Sequence, residues 1–278
     1  MKVLRPKSVP EALKLQAETA ADYIAGGTFS MVEIVAGRYT PAYLIDLSLC
    51  EELYGIQEQD DAVTIGALTT FTEIEKSEVL QRLFPALVKS AAEVGGPQVR
   101  NRGTIGGNIC AASPAADGVP PLLALQAEAI IQGANGERVL PLCEMFLAPK
   151  KTAMTKDEIL IGIRIPKTEC KSGFIKIGKR NALAVSSANM AVALCAQNGC
   201  IENITVAVGS CAPTPRLCPE TAKALLGAYS DEKLRAAKEI LMTEISPIDD
   251  RWATAEYRRL VVANMLESLV EELQKEAQ

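Results

Sequence analysis

Apolar positions first fall at helical spacing over residues 8–20, where Ala12, Leu13, Leu15 and Ala17 form a loose face. Ser8 can cap that helix, and Glu11 follows three residues later as the second half of a capping box. Tyr23-Ile24-Ala25 reads as a short strand, followed by Gly26-Gly27-Thr28 and a helical stretch that runs from 29 until Gly37. Residues 42–47 and 63–67 read as strands, and 70–80 and 85–94 as helices. A long polar, glycine-rich passage then spans Gly95 to Gly118. Pro120-Pro121 opens an apolar helix over 122–127. Strand candidates 128–132 and 138–142 flank Asn135-Gly136, a hairpin signal, and the strand 158–165 ends at Pro166.

The polar stretch 167–172 follows a proline and marks a domain boundary. Beyond it the pattern changes. Residues 173–179, 190–196 and 204–209 read as strands, with a turn at Asn198-Gly199. Helices follow at 219–226, 231–243 and 253–275. Strands first and helices after predict an α+β arrangement, with domains at 1–168 and 172–278. No internal repeat or low-complexity segment is visible.

Composition narrows the function. The chain has 278 residues, 48% hydrophobic and 23% charged, which is ordinary for a globular protein able to bury a real core. Its net charge of −5 gives no basic excess for nucleic acid or an anionic membrane. No apolar run reaches the roughly 20 residues of a membrane span, and no signal-peptide stretch follows the first residues, so a cytoplasmic protein is expected. The eight cysteines include no CxxC, which argues against a metal or iron–sulfur site. They are expected to be reduced and mostly buried. There is no histidine, so a Ser-His-Asp triad, a His-ligated zinc, a His base and a flavin tethered through histidine are all excluded.

Two segments carry candidate chemistry. Ile24-Ala25-Gly26-Gly27-Thr28-Phe29-Ser30 sits at a strand-to-helix turn, where unpaired backbone N–H groups and the helix dipole favour an anion. Glycine lets a diphosphate approach the main chain, and Thr28 and Ser30 add hydroxyl donors. The segment is not GxGxxG, and taken alone it could be a tight turn and nothing more. The second segment runs from Thr104 to Asp117. Gly103, Gly106 and Gly107 are expected to free further amides, and Asn108 and Ser113 to bond polar cofactor atoms. Asp117 offers a carboxylate for ribose hydroxyls or an adenine amino group. A plain surface loop would also suit these residues, although long loops in compact domains are usually functional. Two phosphate-friendly turns with a nearby carboxylate point to a nucleotide cofactor such as FAD.

At these residues the chain resembles the FAD subunits of the xanthine dehydrogenase and carbon monoxide dehydrogenase family. IAGGT at 24–28 paired with TIGGNICAASPAAD at 104–117 carries the resemblance. It extends to GPQVRNRGTIGGN at 96–108, PPLLALQAE at 120–128, DEILIGIRIP at 157–166, APTPRL at 212–217 and AEYRRLVV at 255–262. The resemblance implies a two-lobed, PCMH-like FAD-binding domain, with lobes of about 1–55 and 56–168, and a smaller C-terminal α/β domain. It implies non-covalent FAD and two partner subunits, one with [2Fe-2S] clusters and one with molybdopterin. Electrons would pass from those clusters through FAD to NAD+ or another acceptor. By position, Ile24 to Ser30 would cradle the pyrophosphate, with Thr104, Gly106, Gly107 and Asn108 completing the clamp. Asp117 would hold the adenosine portion, Leu160 would pack near the adenine, Lys176 would lie close to the flavin ring, and Phe146 would match an aromatic stacked on it. Lys176 reads equally as a solvated strand lysine, and Phe146 and Leu160 as core residues.

The chain departs from the family pattern in places. Ala184 stands where members often have aspartate, a departure that nicotinate-dehydrogenase-like members share, and Ala148 replaces a common glycine. Only Phe146 remains of a paired aromatic, and no cysteine-rich insertion follows Asp117. Two other readings stay open: a self-sufficient FAD oxidoreductase of the same fold, and a non-catalytic assembly paralogue.

Overall fold

A computed structural model describes residues 1–180 and 183–276. The chain opens with β1 (Lys2–Leu4), α1 (Val9–Thr19), β2 (Asp22–Ile24), α2 (Ser30–Val35) and β3 (Tyr43–Asp46). The strands form a parallel sheet ordered β1-β3-β2. Ser8 caps α1 by accepting the Glu11 amide, and Glu11 reaches back one residue further than a standard box, to the Lys7 amide. Ala12, Ile45 and Leu53 fill a small core beneath this lobe.

The second lobe starts with β4 (Ile56–Glu58) and β5 (Ala62–Gly66). The helical pattern over 70–80 resolves into α3 (Phe71–Lys76) and α4 (Glu78–Leu83), then α5 (Pro85–Glu93). Thr70 and Glu73 make a complete capping box on α3. Ser77 ends that helix in extended backbone and accepts the Leu80 amide to start the next. The glycine-rich passage is not one long loop. It contains α6 (Pro97–Arg100) and α7 (Ile105–Cys110), and α8 (Val119–Ala124) follows. The hairpin at Asn135-Gly136 joins β6 (Glu128–Gly133) to β7 (Gly136–Pro141), with Gly136 at φ 108°. A small hairpin, β8 (Phe146–Ala148) and β9 (Lys151–Thr152), leads to β10 (Ile159–Pro166). The sheet order is β4-β5-β10-β6-β7. Phe71, Phe84, Leu87, Ile105 and Ile109 are buried against it, at roughly 1.5–3 kcal/mol for each large side chain.

The C-terminal part carries β11 (Lys171–Gly178), β12 (Ser186–Gln197) and β13 (Cys200–Gly209) as an antiparallel sheet, edged by β14 (Arg216–Leu217) and β15 (Gly227–Ala228). Three helices cover it: α9 (Pro219–Leu225), α10 (Asp231–Glu244) and α11 (Ala255–Glu276). Strand β12 is buried on both faces. Met190, Val192 and Leu194 point to these helices, whereas Ala191 and Ala193 join the core of the second lobe. A continuous core therefore runs from one domain into the next.

One expectation fails here. Lys171 pairs with Leu194, so Cys170 falls directly beside Cys195 and the two form a disulfide, Cα atoms 4.2 Å apart. The cysteines are thus not all reduced. Nor are they mostly buried: Cys50, Cys211 and Cys218 are buried, Cys200 is half-buried, and Cys110 and Cys143 are exposed. No helix among the described residues is long and apolar enough to cross a membrane.

Candidate flavin pocket

A cavity of about 860 Å3 opens where the two lobes meet the C-terminal domain. Its volume lies within the range of small-molecule sites. One side is the first glycine bend. Gly27 adopts φ 74°, a left-handed conformation that glycine adopts without strain. The amides of Gly26, Gly27, Thr28 and Phe29 donate to no acceptor among the described residues. They are the unpaired donors an anion needs.

The second glycine segment behaves differently from expectation. Its amides are not free. Gly103 N–H donates to the Val99 carbonyl, Gly106 N–H to the Ala67 carbonyl, and Gly107 N–H to the Thr104 hydroxyl oxygen that caps α7. These glycines serve close packing instead. A Cβ at Gly106 would lie 2.6 Å from the Ala67 carbonyl oxygen. A Cβ at Gly26 would lie 1.7 Å from the Arg102 carbonyl oxygen, so the first bend is seated directly on the backbone leading into the second. What the second segment offers the cavity is side-chain chemistry. The Thr104 hydroxyl keeps its proton available, and Asn108 lines the wall with a buried Oδ1 that has no partner.

Asp117 lies at the end of the cavity walled by Val94, Gly95 and Leu183 to Val185. Its Oδ1 accepts from Ser186 Oγ at 2.5 Å and Asn189 Nδ2 at 2.8 Å, and its Oδ2 accepts from Lys176 Nζ at 2.6 Å. Lys176 also donates to the Glu93 carbonyl at 2.8 Å. This buried cluster ties the pocket wall to β11 and β12. Two expectations therefore exclude each other. Asp117 at the adenosine and Lys176 at the ring would put a cofactor's opposite ends on atoms 2.6 Å apart. Lys176 is also not on the cavity surface.

Ala25 through Ser30, Thr104, Gly106, Gly107, Asn108, Asp117 and Leu160 all line the cavity, whereas Ile24 sits just behind the bend. Phe146 packs half-buried on the core of the second lobe and does not line it, so stacking on a ligand ring from that position finds no support in the geometry.

Several lining residues went unread in the sequence. Tyr23 contributes a buried hydroxyl without a partner, and burial followed by the nearby Asp157 pushes its ionisation upward. Lys150 sits 5.5 Å from the Phe29 ring centre. Glu158, held by Arg138 at 2.6 Å, has its carboxyl lowered to about 2. Asp22, Thr155 and Lys156 also line the cavity.

The family comparisons agree with this geometry. Residues 1–168 match the model for the FAD binding domain in molybdopterin dehydrogenase, and residues 174–273 match the CO dehydrogenase flavoprotein C-terminal domain. The carbon monoxide dehydrogenase medium chain of Hydrogenophaga pseudoflava is 32% identical, over 94% of this chain and 92% of that one. The xanthine dehydrogenase FAD-binding subunit of Escherichia coli O157:H7 is 29% identical, over 96% and 94%. A solved carbon monoxide dehydrogenase from Hydrogenophaga pseudoflava superposes with a TM-score of 0.95 at 30% identity, covering 98% of this chain and 96% of that one. With both halves matched and a donor-lined cavity between them, the chain belongs to the FAD-binding medium subunits of the molybdenum hydroxylase family.

Proposed function

We propose that this chain binds FAD non-covalently and serves as the electron-transfer subunit between the [2Fe-2S] clusters of a partner and NAD+ or another acceptor. A further partner subunit would carry the molybdopterin, and the complex would reside in the cytoplasm. The observation that carries this reading is the row of free amides from Gly26 to Phe29, facing an 860 Å3 cavity. A diphosphate there would receive main-chain hydrogen bonds without displacing any existing one. Ile24 shapes the bend from behind, Ser30 and the Thr28 and Thr104 hydroxyls add donors, and Asn108 supplies its amide group. Leu160, on the sheet side, offers an apolar surface suited to adenine.

The Asp117 end suits the ring. There Lys176 acts through Asp117, holding the carboxylate in place rather than touching a ligand itself. When bound, the flavin supplies one- and two-electron redox chemistry, and the protein's part is to bind it, orient it and set its surroundings. Residues 183–185 and 94–95 line this end. Substrate hydroxylation would occur on another chain.

The test is a titration of the flavin-free full chain with FAD, followed by quenching of flavin fluorescence. One equivalent should bind. A chain that leaves excess FAD unquenched and stays colourless would end this reading.

A further inference from the structure

Three carboxylates line the cavity, and two have cations: Asp117 has Lys176, and Glu158 has Arg138. Asp22 has none among the described residues. It stands at the first position of β2, four residues before the bend begins to offer amides at Gly26. The Tyr39 hydroxyl donates to Asp22 Oδ2, which fixes the carboxylate, while Oδ1 accepts no hydrogen bond among the described residues. Its chain neighbour Tyr23 lines the same cavity, as do Thr155 and Lys156, and it bonds none of the residues of the Asp117 cluster.

We propose that Asp22 is the acceptor for the hydrogen-bond donors of the adenosine moiety, the part first expected of Asp117. The inference rests on the FAD reading. A carboxylate suits vicinal ribose hydroxyls because it accepts two hydrogen bonds side by side and gains from its charge. Asp117 suits this part less, since Ser186 and Asn189 occupy its Oδ1 and Lys176 already bonds its Oδ2, leaving no pair of free acceptors for vicinal hydroxyls. Tyr39, outside the cavity, is a positioning residue that acts through Asp22. The same negative charge would disfavour a ligand carrying a phosphate on that ribose.

The test uses the flavin-free full chain and three probes: FAD, ADP and FMN. ADP has the adenosine and diphosphate without the ring, and FMN has the ring without the adenosine. Asp22→Asn should weaken FAD and ADP alike, by about tenfold, and leave FMN unchanged. Tyr39→Phe should weaken the same two ligands by about threefold. Unchanged FAD affinity in Asp22→Asn would overturn the assignment. So would an equal loss for FAD and FMN, which would mark a general disturbance of the fold. A wild-type chain that binds none of the three would remove the FAD reading itself, an outcome distinct from both.

Discussion

Lys176→Met is the sharpest probe of the cluster that closes the pocket. Methionine keeps most of the apolar stem but removes the ammonium and its bonds to Asp117 at 2.6 Å and the Glu93 carbonyl at 2.8 Å. The Asp117 carboxylate then stays buried with only the neutral donors Ser186 and Asn189. Removing one partner of a buried pair costs about 3–5 kcal/mol, mostly because the other charge is left without compensation. Set against total stabilities of about 5–15 kcal/mol, that is a large fraction. For a chain of this size the melting temperature should fall by roughly 6–20 °C. Asp117→Asn combined with Lys176→Met removes the stranded anion, so the double variant should recover about 2 kcal/mol relative to the sum of the single losses. Urea unfolding of the four proteins, followed by circular dichroism, measures the cycle. A Lys176→Met loss below about 1 kcal/mol, or strict additivity in the double variant, would refute the reasoning.

Other perturbations test other parts of the structure. Gly26→Ala drives a Cβ into the Arg102 carbonyl and should cost on the order of 100-fold in FAD affinity by parting the two bends. Gly37→Ala, in left-handed backbone but with open space around it, should cost only about 1 kcal/mol of stability and spare binding; equal effects on binding would contradict the packing argument. Glu158 has a depressed folded value, so its pairing with Arg138 stabilises fully above the ordinary 4.5 and is lost as pH falls towards 2. Glu158→Gln should therefore remove about 1–2 kcal/mol of pH dependence in that window, and urea midpoints that fall there as steeply as in the wild type would show otherwise. The Cys170–Cys195 bond closes a loop of sequence separation 25, worth about 3.5 kcal/mol in chain entropy. Alkylation of unfolded, unreduced protein should label six cysteines, and eight only after reduction; eight labels from the start would contradict the bond.

Local signals in the sequence were strong where one residue sets the geometry. Ser8 and Asn135-Gly136 announced a cap and a hairpin, and each stands where it was read. The first glycine bend was legible for the same reason, since a strand, two glycines and a helix start suffice to expose amides. The second was misread because its donors are satisfied from afar, by Ala67 and Val99 and by the cap at Thr104. The partners of Asp117 were hidden for a similar reason: they lie 59 to 72 residues away, and no local pattern reveals which carboxylate in a cavity is already paired. The break at Ser77 was hidden inside a helical repeat, because serine caps two helices there without interrupting the apolar period.

The alanines of β12 that lodge in the second lobe, and the three donors that meet Asp117, make the two domains poor candidates for separate life. A fragment cut near residue 168 would bare both an alanine-sized hollow and a carboxylate stripped of its donors. Hybrids that exchange the C-terminal portion between relatives should therefore succeed only when lysine, serine and asparagine travel with it as a set.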